Sequence, residues 1–567
     1  MAFTVHPVRY GAPALDRLTA LVAEAQAADA LAPVTVVVPT NYVGVATRRA
    51  LGRRGGIANV SFLTVYRLAE LLGASTLAAA GRRPVSTPVV AGAIRQVLQQ
   101  APGVFAGVRE HPATEEALLA AHRELRDVRE GTLRVLAAAS ARAADVVRIH
   151  RAVTAALAPQ WYDETDLLAA AAGAPPVPLG TLVVYLPQSL SISAARFLAA
   201  LGGRVTGHVV AGVTGDEVAD AAVRRSIRRL GLEPPAVHGD PTLPDDIHVV
   251  SAADADDEVR AAVREVVAAA RRGVPLERIA LCYATADPYA RLAGELLDAA
   301  GIARNGRATL ALRERVAART LLGLLALPDR GFRRDELFTL LAGAPVRGTD
   351  GVRVPTSAWE RVSREAGVVA GAGQWDVRLA ALAAAQHAEA DVMRRAPEEV
   401  PEWLVERAER QARRAEELRA FALELIGRLD APALPSTWEG LARLCRDLVG
   451  RYLGGDVARA SWPEAERVAA EKVLTAVDRL GGLDAVDPAP TVERFRRTLE
   501  LELDADLGRV GRLGDGVFVG PIGLALGQDL DVVIVLGLAE GTFPARPVDD
   551  ALLPDRERAR AGGELPL

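Results

Sequence analysis

The sequence predicts an α/β protein with two parallel β-sheets, each interrupted by a large helical block. Short β-branched runs bounded by glycine or proline alternate with amphipathic segments, and two long stretches carry no strand pattern. At 567 residues the chain is too long for one hydrophobic core. The predicted domains are 1–87 with 173–233 and 234–315 with 511–567, with helical insertions over 88–172 and 316–510.

The first domain is predicted from five strands, of which the alternating run Phe3–Val8 is the first. Val34–Pro39 is continuously apolar and predicts a second strand, buried on both faces, and Ala58–Thr64 predicts a third strand before a helix. Thr181–Leu186 and Val205–Gly212 return to this pattern after the first helical block. Strands that alternate with helices are typical of a parallel sheet covered by helices on both faces.

The second domain follows a proline-rich linker near 234–244. Asp246–Ser251 and Ile279–Tyr283 are predicted strands, each leading into a helix. Near the end of the chain, Gly516–Gly520 and Asp531–Gly537 are short apolar runs bounded by glycine or acid, which predicts two more buried parallel strands.

Composition excludes several functional classes. The net charge is −5, so binding to nucleic acid through bulk charge is not implied, and any such contact needs a local basic surface. Cys282 and Cys445 are far apart, which suits a reduced compartment and excludes a cluster held by cysteines of this chain. The start of the chain has no signal-peptide pattern, and no long apolar run is free of charge or glycine. We therefore expect a cytoplasmic protein with no membrane partner.

Lysine is almost absent. Of 67 basic residues only Lys472 is a lysine, and it lies in an amphipathic helix with no glycine-rich loop before it. A phosphate-binding loop of the form GxxxxGK[ST] needs a lysine to reach the β- and γ-phosphates. The sequence therefore predicts that no such loop exists in this chain.

One acidic cluster has the residue types of a metal site. Asp254, Asp256, Asp257 and Glu258 could ligate a cation, but they also open a predicted helix, where carboxylates favour the dipole. The helix-start interpretation is preferred, and no metal site is predicted. Pro554–Arg558 superficially has the acids of a nuclease core but lacks its strand context and its lysine, so no catalytic residue is predicted.

The last part of the chain carries the most specific pattern. Gly537–Pro544 reads Gly-Leu-Ala-Glu-Gly-Thr-Phe-Pro and is followed by Asp549–Arg558. Together with Val34–Leu72 and Val250–Ile302, it resembles the AddB-type subunit of bacterial helicase–nucleases, a superfamily-1, UvrD-like frame usually followed by a PD-(D/E)XK nuclease domain. The resemblance implies two RecA-like domains and a role in DNA double-strand-break repair and recombination.

The resemblance also assigns the positions that would handle ATP. The phosphate loop would be Arg9–Asp16, which has one glycine and no lysine. The magnesium-binding acids would follow Val184, where Tyr185–Gln188 retains only the glutamine. The γ-phosphate arginine would lie at Tyr283–Thr285, and the Lys-Gly-Leu-Glu stretch becomes Leu526–Asp529. Without these charges a triphosphate cannot be neutralised, so we expect no ATPase activity and no bound cofactor.

A DNA-binding surface can persist without ATP chemistry. The resemblance places single-strand contacts at the ends of the second and third strands, where hydroxyl and amide groups can bind phosphate oxygens. The candidate DNA-binding residues are Thr40, Asn41, Ser61, Thr64, Arg48 and Arg49. Two alternatives stay open: the polar residues cap helices, and the arginines, with Arg53 and Arg54, form a solvated helix end.

The expected partners are DNA, as a single strand or duplex end, and a UvrD/AddA-like ATP-dependent helicase subunit. Because the family's nuclease follows the helicase-like frame, we expect this chain to be the N-terminal part of a longer protein. Mg²⁺, with an iron–sulfur cluster as a further candidate, would belong to that nuclease beyond residue 567. A scaffold that binds a partner helicase without DNA, and a nucleotide-dependent enzyme with an unorthodox site, are the alternatives.

Overall fold

The computed structural model describes residues 3–175, 178–235, 246–307, 311–396, 400–430, 434–505, 509–545 and 548–565. The chain divides into two compact units. Unit 1 consists of Met1–Val85, Val97–Thr309 and Gly508–Leu567, and unit 2 consists of Ser86–Gln96 and Leu310–Leu507.

The strands, numbered in chain order, are β1 (Thr4–Arg9), β2 (Val34–Val37), β3 (Val60–Leu63), β4 (Arg83–Pro84), β5 (Trp161–Tyr162), β6 (Thr181–Tyr185), β7 (Gly207–Val213), β8 (Ile279–Tyr283), β9 (Arg304–Arg307), β10 (Arg509–Val510), β11 (Val517–Pro521) and β12 (Val532–Leu536).

The α-helices of the first 300 residues are α1 (Ala12–Ala25), α2 (Asn41–Gly55), α3 (Val65–Ala79), α4 (Thr87–Gln100), α5 (Pro112–Leu125), α6 (Glu130–Ala137), α7 (Ala141–Leu157), α8 (Glu164–Ala172), α9 (Ile192–Gly202), α10 (Ala221–Arg229), α11 (Ala255–Arg271) and α12 (Tyr289–Ala299).

The later α-helices are α13 (Val316–Ala326), α14 (Arg334–Ala342), α15 (Thr356–Glu365), α16 (Ala372–Arg395), α17 (Glu402–Leu429), α18 (Trp438–Leu453), α19 (Asp456–Arg459), α20 (Glu464–Leu480), α21 (Val492–Ala505), α22 (Ile522–Ala525) and α23 (Asp555–Arg558).

Unit 1 contains two five-stranded sheets, which confirms the predicted α/β class. The first has the order β1-β7-β6-β2-β3 and is parallel throughout. Val36 and Val183 point into a core with α1 and α2, whereas Val37 and Val184 point into a core with α3, α8, α9 and α10. Helices therefore cover both faces, which explains the continuous apolar runs in these strands.

The second sheet has the order β10-β9-β11-β8-β12. Its strands are parallel except for β10, which pairs with β9 in the antiparallel sense. Helices α11 and α12 bury one face. On the other face, Cys282 and Phe518 form a smaller cluster against which Tyr42 of α2 packs. Helix α2 therefore belongs to the first sheet's layer and also contacts the second sheet.

Unit 2 is helical over its described residues and contains α13 to α21 with the first part of α4. Its packing includes the fully buried Trp375 and Trp438. Asp487, whose side chain is 3 % exposed, accepts bonds from Arg95 of α4 at 2.9 and 3.1 Å and from Arg494 at 3.2 Å. The start of the predicted 88–172 insertion thus packs with the later helical block.

One predicted strand is wrong. Residues 246–250 have no regular secondary structure and are exposed, with Val249 93 % exposed. Their alternating apolar residues favour a strand locally, but a strand needs a neighbour that pairs with it, and none pairs here among the described residues. Much of the adjoining linker, 236–245, lies outside the described residues.

Trp161 lies in the two-residue strand β5 and is 4 % exposed, and Asp163 caps the helix that follows. Across the part of the chain that the structure describes, we found no helix with the length and apolar character that crossing a membrane requires.

Candidate nucleic-acid interface

The place where a helicase-like frame would hold a nucleotide lies at the end of β1. Tyr10 and Gly11 alone link β1 to α1. Gly11 has a φ of 80° and precedes a helix whose first turn contains Pro13, which has no backbone N–H to offer. A phosphate-binding loop needs several consecutive N–H groups around the anion. This two-residue connection does not provide them.

The Tyr10 ring lies against β7, the strand that pairs with β1. It packs so closely on Gly212, near the end of β7, that an added Cβ there would lie 2.5 Å from Tyr10 Cε1 and 2.8 Å from Leu186 Cδ2. The Gln188 side-chain amide donates to the Tyr10 hydroxyl. Burial raises the pKa of Tyr10, so the phenol stays neutral. An aromatic ring and an amide thus take the space where a phosphate would need cations.

The end of β6 continues this packing. Tyr185 is buried, bonds to the Thr47 hydroxyl, and has its pKa raised mainly by burial. Leu186 is 1 % exposed and adopts a φ of 49°, a left-handed conformation that is unusual for leucine. Gln188, the one residue that matches the magnesium-site pattern, bonds to Tyr10. The expected acidic pair is therefore replaced by buried aromatic and aliphatic side chains.

The corresponding positions of the second sheet are also occupied by internal contacts. Tyr283 ends β8 and is 3 % exposed. Asp531 accepts two bonds from Arg278, both at 2.6 Å, and Asp529 accepts two more at 3.0 and 3.3 Å. Arg278 therefore neutralises the carboxylate of Asp529, which ends the stretch Leu526–Asp529, and that of Asp531 just after it.

Helix α2 joins the two sheets at this edge. The Tyr42 ring meets the Phe518 ring edge-on, with centroids 5.0 Å apart. Gly527, with a φ of 78°, approaches so closely that an added Cβ would lie 3.1 Å from Leu186 and 3.3 Å from Val43. Residues of both sheets thus meet around the first turn of α2, beside the candidate DNA-binding residues.

Thr40 and Thr64 are helix caps, as the alternative interpretation held. The Thr40 hydroxyl oxygen accepts from Val43 N at 3.2 Å, and the Thr64 oxygen accepts from Arg67 N at 3.4 Å. A hydroxyl that accepts such a bond still carries its own proton. Both side chains can therefore cap a helix and donate to a phosphate oxygen.

Asn41 and Ser61 are exposed but occupy different environments. Asn41 is the first residue of α2, at the same strand end as Thr40. Ser61 lies within β3, an outer strand of its sheet, rather than at the strand's end. Thr40, Asn41 and Thr64 therefore share the carboxyl edge of the sheet, and Ser61 lies further back on the outer strand.

The arginines of α2 differ in their contacts. Arg48 is exposed and makes no ion pair or hydrogen bond among the described residues. Arg49 donates to the Gly514 carbonyl in the segment before β11. Arg53 pairs with Glu277 at 3.5 Å, and Arg54 pairs with Asp16. Arg48 has the freer guanidinium, and the other three make contacts within unit 1.

The acidic cluster before α11 has a structural role. Asp254 caps the helix by accepting from Asp257 N at 2.9 Å. Glu258 accepts from Gly537 N at 2.7 Å and from the Tyr289 hydroxyl at 3.0 Å. Among the described residues, no group of three or more potential ligands is arranged to hold a metal ion.

Of the two acids in Pro554–Arg558, Asp555 is exposed and Glu557 lies inside the fold, 3.6 Å from Arg142. Glu557 and Arg558 are buried, and Arg558 pairs with Glu124 at 2.7 Å and with Asp550 at 3.3 Å. This segment therefore attaches the end of the described chain to the helices of unit 1.

Sequence reasoning did not identify Tyr10 and Tyr42 as part of this edge. Tyr10 reaches Gly212 about two hundred positions away in the sequence, and Tyr42 reaches Phe518 across still more of the chain. An aromatic residue just after a strand, in the place of a phosphate loop, was the available signal.

No protein-family model matches this chain, and a search of curated proteins also found no match.

Proposed function

We propose that this chain is the non-catalytic, helicase-like, DNA-binding portion of a helicase–nuclease subunit that acts in double-strand-break repair and recombination. It would hold a DNA strand while a UvrD/AddA-like ATP-dependent helicase subunit supplies movement. Its two sheets would correspond to two RecA-like domains of a superfamily-1 frame. A metal-dependent PD-(D/E)XK nuclease would belong to the remainder of the protein.

The packing of Tyr10 against Gly212 is the observation that carries this proposal. In a motor, the end of β1 must surround phosphate with N–H groups and a lysine. Here the ring fills that space, and Gln188 bonds to the ring's hydroxyl. Binding a nucleotide there would require displacing the half-buried Tyr10 side chain and supplying several charges.

The ends of β2 and β3 support DNA binding. Helices α2 and α3 both begin there, and neither has an acidic residue in its first turn. The partial positive charge at a helix N-terminus favours anions. Thr40 and Asn41 lie at the first of these helix starts, and Arg48 lies about two turns further along α2. Together they are local groups suited to phosphate despite the net charge of −5.

Binding of a fluorescently labelled single-stranded oligonucleotide tests the proposal. The expected result is measurable affinity that falls steeply as salt rises, because phosphate contacts release counterions. Absence of binding at low salt would contradict the proposal and favour the alternative, a scaffold that binds a partner helicase without DNA. Hydrolysis of ATP by the purified chain would contradict the non-catalytic assignment.

A further inference from the structure

Two arginines of the second sheet lie opposite each other. Arg307 ends β9 and Arg509 begins β10, and the antiparallel register pairs them directly. Both residues are exposed. Like charges at opposed positions of neighbouring strands destabilise a sheet. Such a pair therefore lowers the free energy of unfolding unless another group compensates it.

Nearby arginines that stabilise the fold have acidic partners. Arg304, in the same strand, makes two bonds of 2.8 Å to Asp298, and Arg278 is bonded to Asp529 and Asp531. Among the described residues, the side chains of Arg307 and Arg509 make neither an ion pair nor a hydrogen bond. In the described part of this sheet, Arg304 and Arg278 are therefore paired with acids, whereas Arg307 and Arg509 are exposed without such partners.

Two tyrosines share the surroundings of the pair. Burial raises the pKa of Tyr42, and the charges of Arg509 and Arg307 act against that rise. Burial likewise raises the pKa of Tyr283, and Arg307 again opposes it. The geometry agrees, because the Tyr42 ring contacts the Phe518 ring of β11, and Phe518 pairs with Asn305, two residues before Arg307 in β9. Because Tyr42 follows Asn41 in the first turn of α2, this places the pair beside the candidate DNA-binding residues.

We propose that Arg307 and Arg509 bind phosphate groups of the DNA strand, so that the second sheet supplies part of the binding surface. The planar guanidinium donates two parallel hydrogen bonds to a phosphate, and two such groups side by side suit the non-bridging oxygens of a phosphodiester backbone. A neutral phenol beside them adds a donor. This inference rests on the proposed function, because it names a second contact of the same strand.

The test compares two double substitutions in the full chain. Arg307→Gln with Arg509→Gln removes the proposed contacts. Arg264→Gln with Arg271→Gln is the matched control, because both are exposed residues of α11 and no ion pair or hydrogen bond of theirs is present among the described residues. The first variant should bind single-stranded DNA about tenfold more weakly near 0.1 M salt, with the slope of log affinity against log salt reduced by about 1.4. The control should lose about threefold or less.

Thermal unfolding separates binding from structure. Because the pair repels itself, removing it should leave the melting temperature unchanged or raise it. Wild-type affinity and salt slope in the Arg307/Arg509 variant would overturn the inference, as would equal losses in both variants. A wild-type chain that fails to bind DNA would instead contradict the proposed function itself.

Discussion

Two places along the same edge of unit 1 differ in how they are filled. At the end of β1, Tyr10, Gln188 and Gly212 pack together, and the Tyr10 ring takes the space beside the strand end. Where α2 meets the second sheet, the exposed residues include the opposed arginines Arg307 and Arg509, which have no acidic partners among the described residues. One place is closed by aromatic packing, and the other presents positive charge to solvent.

Under the proposed function, the chain would bind DNA without ATP chemistry. Nucleotide handling needs several charges that act together. Phosphate binding is distributed over many weak contacts, so exposed arginines, hydroxyls and helix starts sustain it individually.

Closing the space at Gly212 should have the largest effect. Gly212→Val adds atoms where a Cβ alone would lie 2.5 Å from the Tyr10 ring. We expect the free energy of unfolding to fall by about 2–3 kcal/mol, measured by urea denaturation. Gly107→Val is the control, because nothing lies within 4 Å of a Cβ there, and it should change stability by less than about 0.5 kcal/mol. Equal losses in the two variants would show that Tyr10 does not fill this position.

Thr40→Val and Thr64→Val test whether the caps also bind DNA. Each removes a hydroxyl that caps a helix, and each should lower the free energy of unfolding by about 1 kcal/mol. Each should also weaken single-strand binding, since a phosphate donor is lost with the cap. Thr40→Ser and Thr64→Ser keep the hydroxyl and should retain both properties. Reduced stability with unchanged DNA affinity would show that these residues cap helices and do not bind DNA.

Arg48 and Arg49 should separate into different roles. Arg48→Gln should weaken DNA binding about threefold with unchanged stability, because its side chain makes no ion pair or hydrogen bond among the described residues. Arg49→Gln should lower the free energy of unfolding by about 0.5 kcal/mol through loss of the bond to Gly514, with a smaller effect on binding. Anisotropy and urea titrations measure both properties. The reverse assignment would place Arg49, rather than Arg48, on the DNA.

The smallest expected effect is an absence of pH dependence. The pKa of Tyr42 is raised mainly by burial, so its phenol stays protonated above its ordinary titration range. Binding of single-stranded DNA should therefore stay constant between about pH 7 and about pH 9. A loss of affinity over this range that Tyr42→Phe abolishes would show that the phenol ionises, contrary to the environment described.

Strands buried on both faces could be predicted because side chains on both faces are apolar, so the strand appears in the sequence as a continuous apolar run. Val34–Pro39 and Ile279–Tyr283 are examples, and the structure places strands in both. The strand predicted at Asp246–Ser251 failed because alternation reports local preference and not the presence of a pairing neighbour. The grouping of the first part of α4 with unit 2 was also hidden, since Arg95 and Asp487 lie far apart in the sequence.

At the candidate site, the missing charges at the nucleotide position could be predicted because absent residue types are visible in the sequence itself. What replaces them could not, since the contact of Tyr10 with Gly212 depends on how β1 and β7 pair. The opposition of Arg307 and Arg509 likewise depends on strand register. Neither pairing leaves a local pattern in the chain.

The decisive measurement is the affinity of the intact chain for single-stranded DNA over a range of salt, with and without about 1 mM ATP and Mg²⁺. We expect salt-sensitive binding that nucleotide does not change. Binding that requires or responds to ATP, or no binding at any salt concentration, would contradict it.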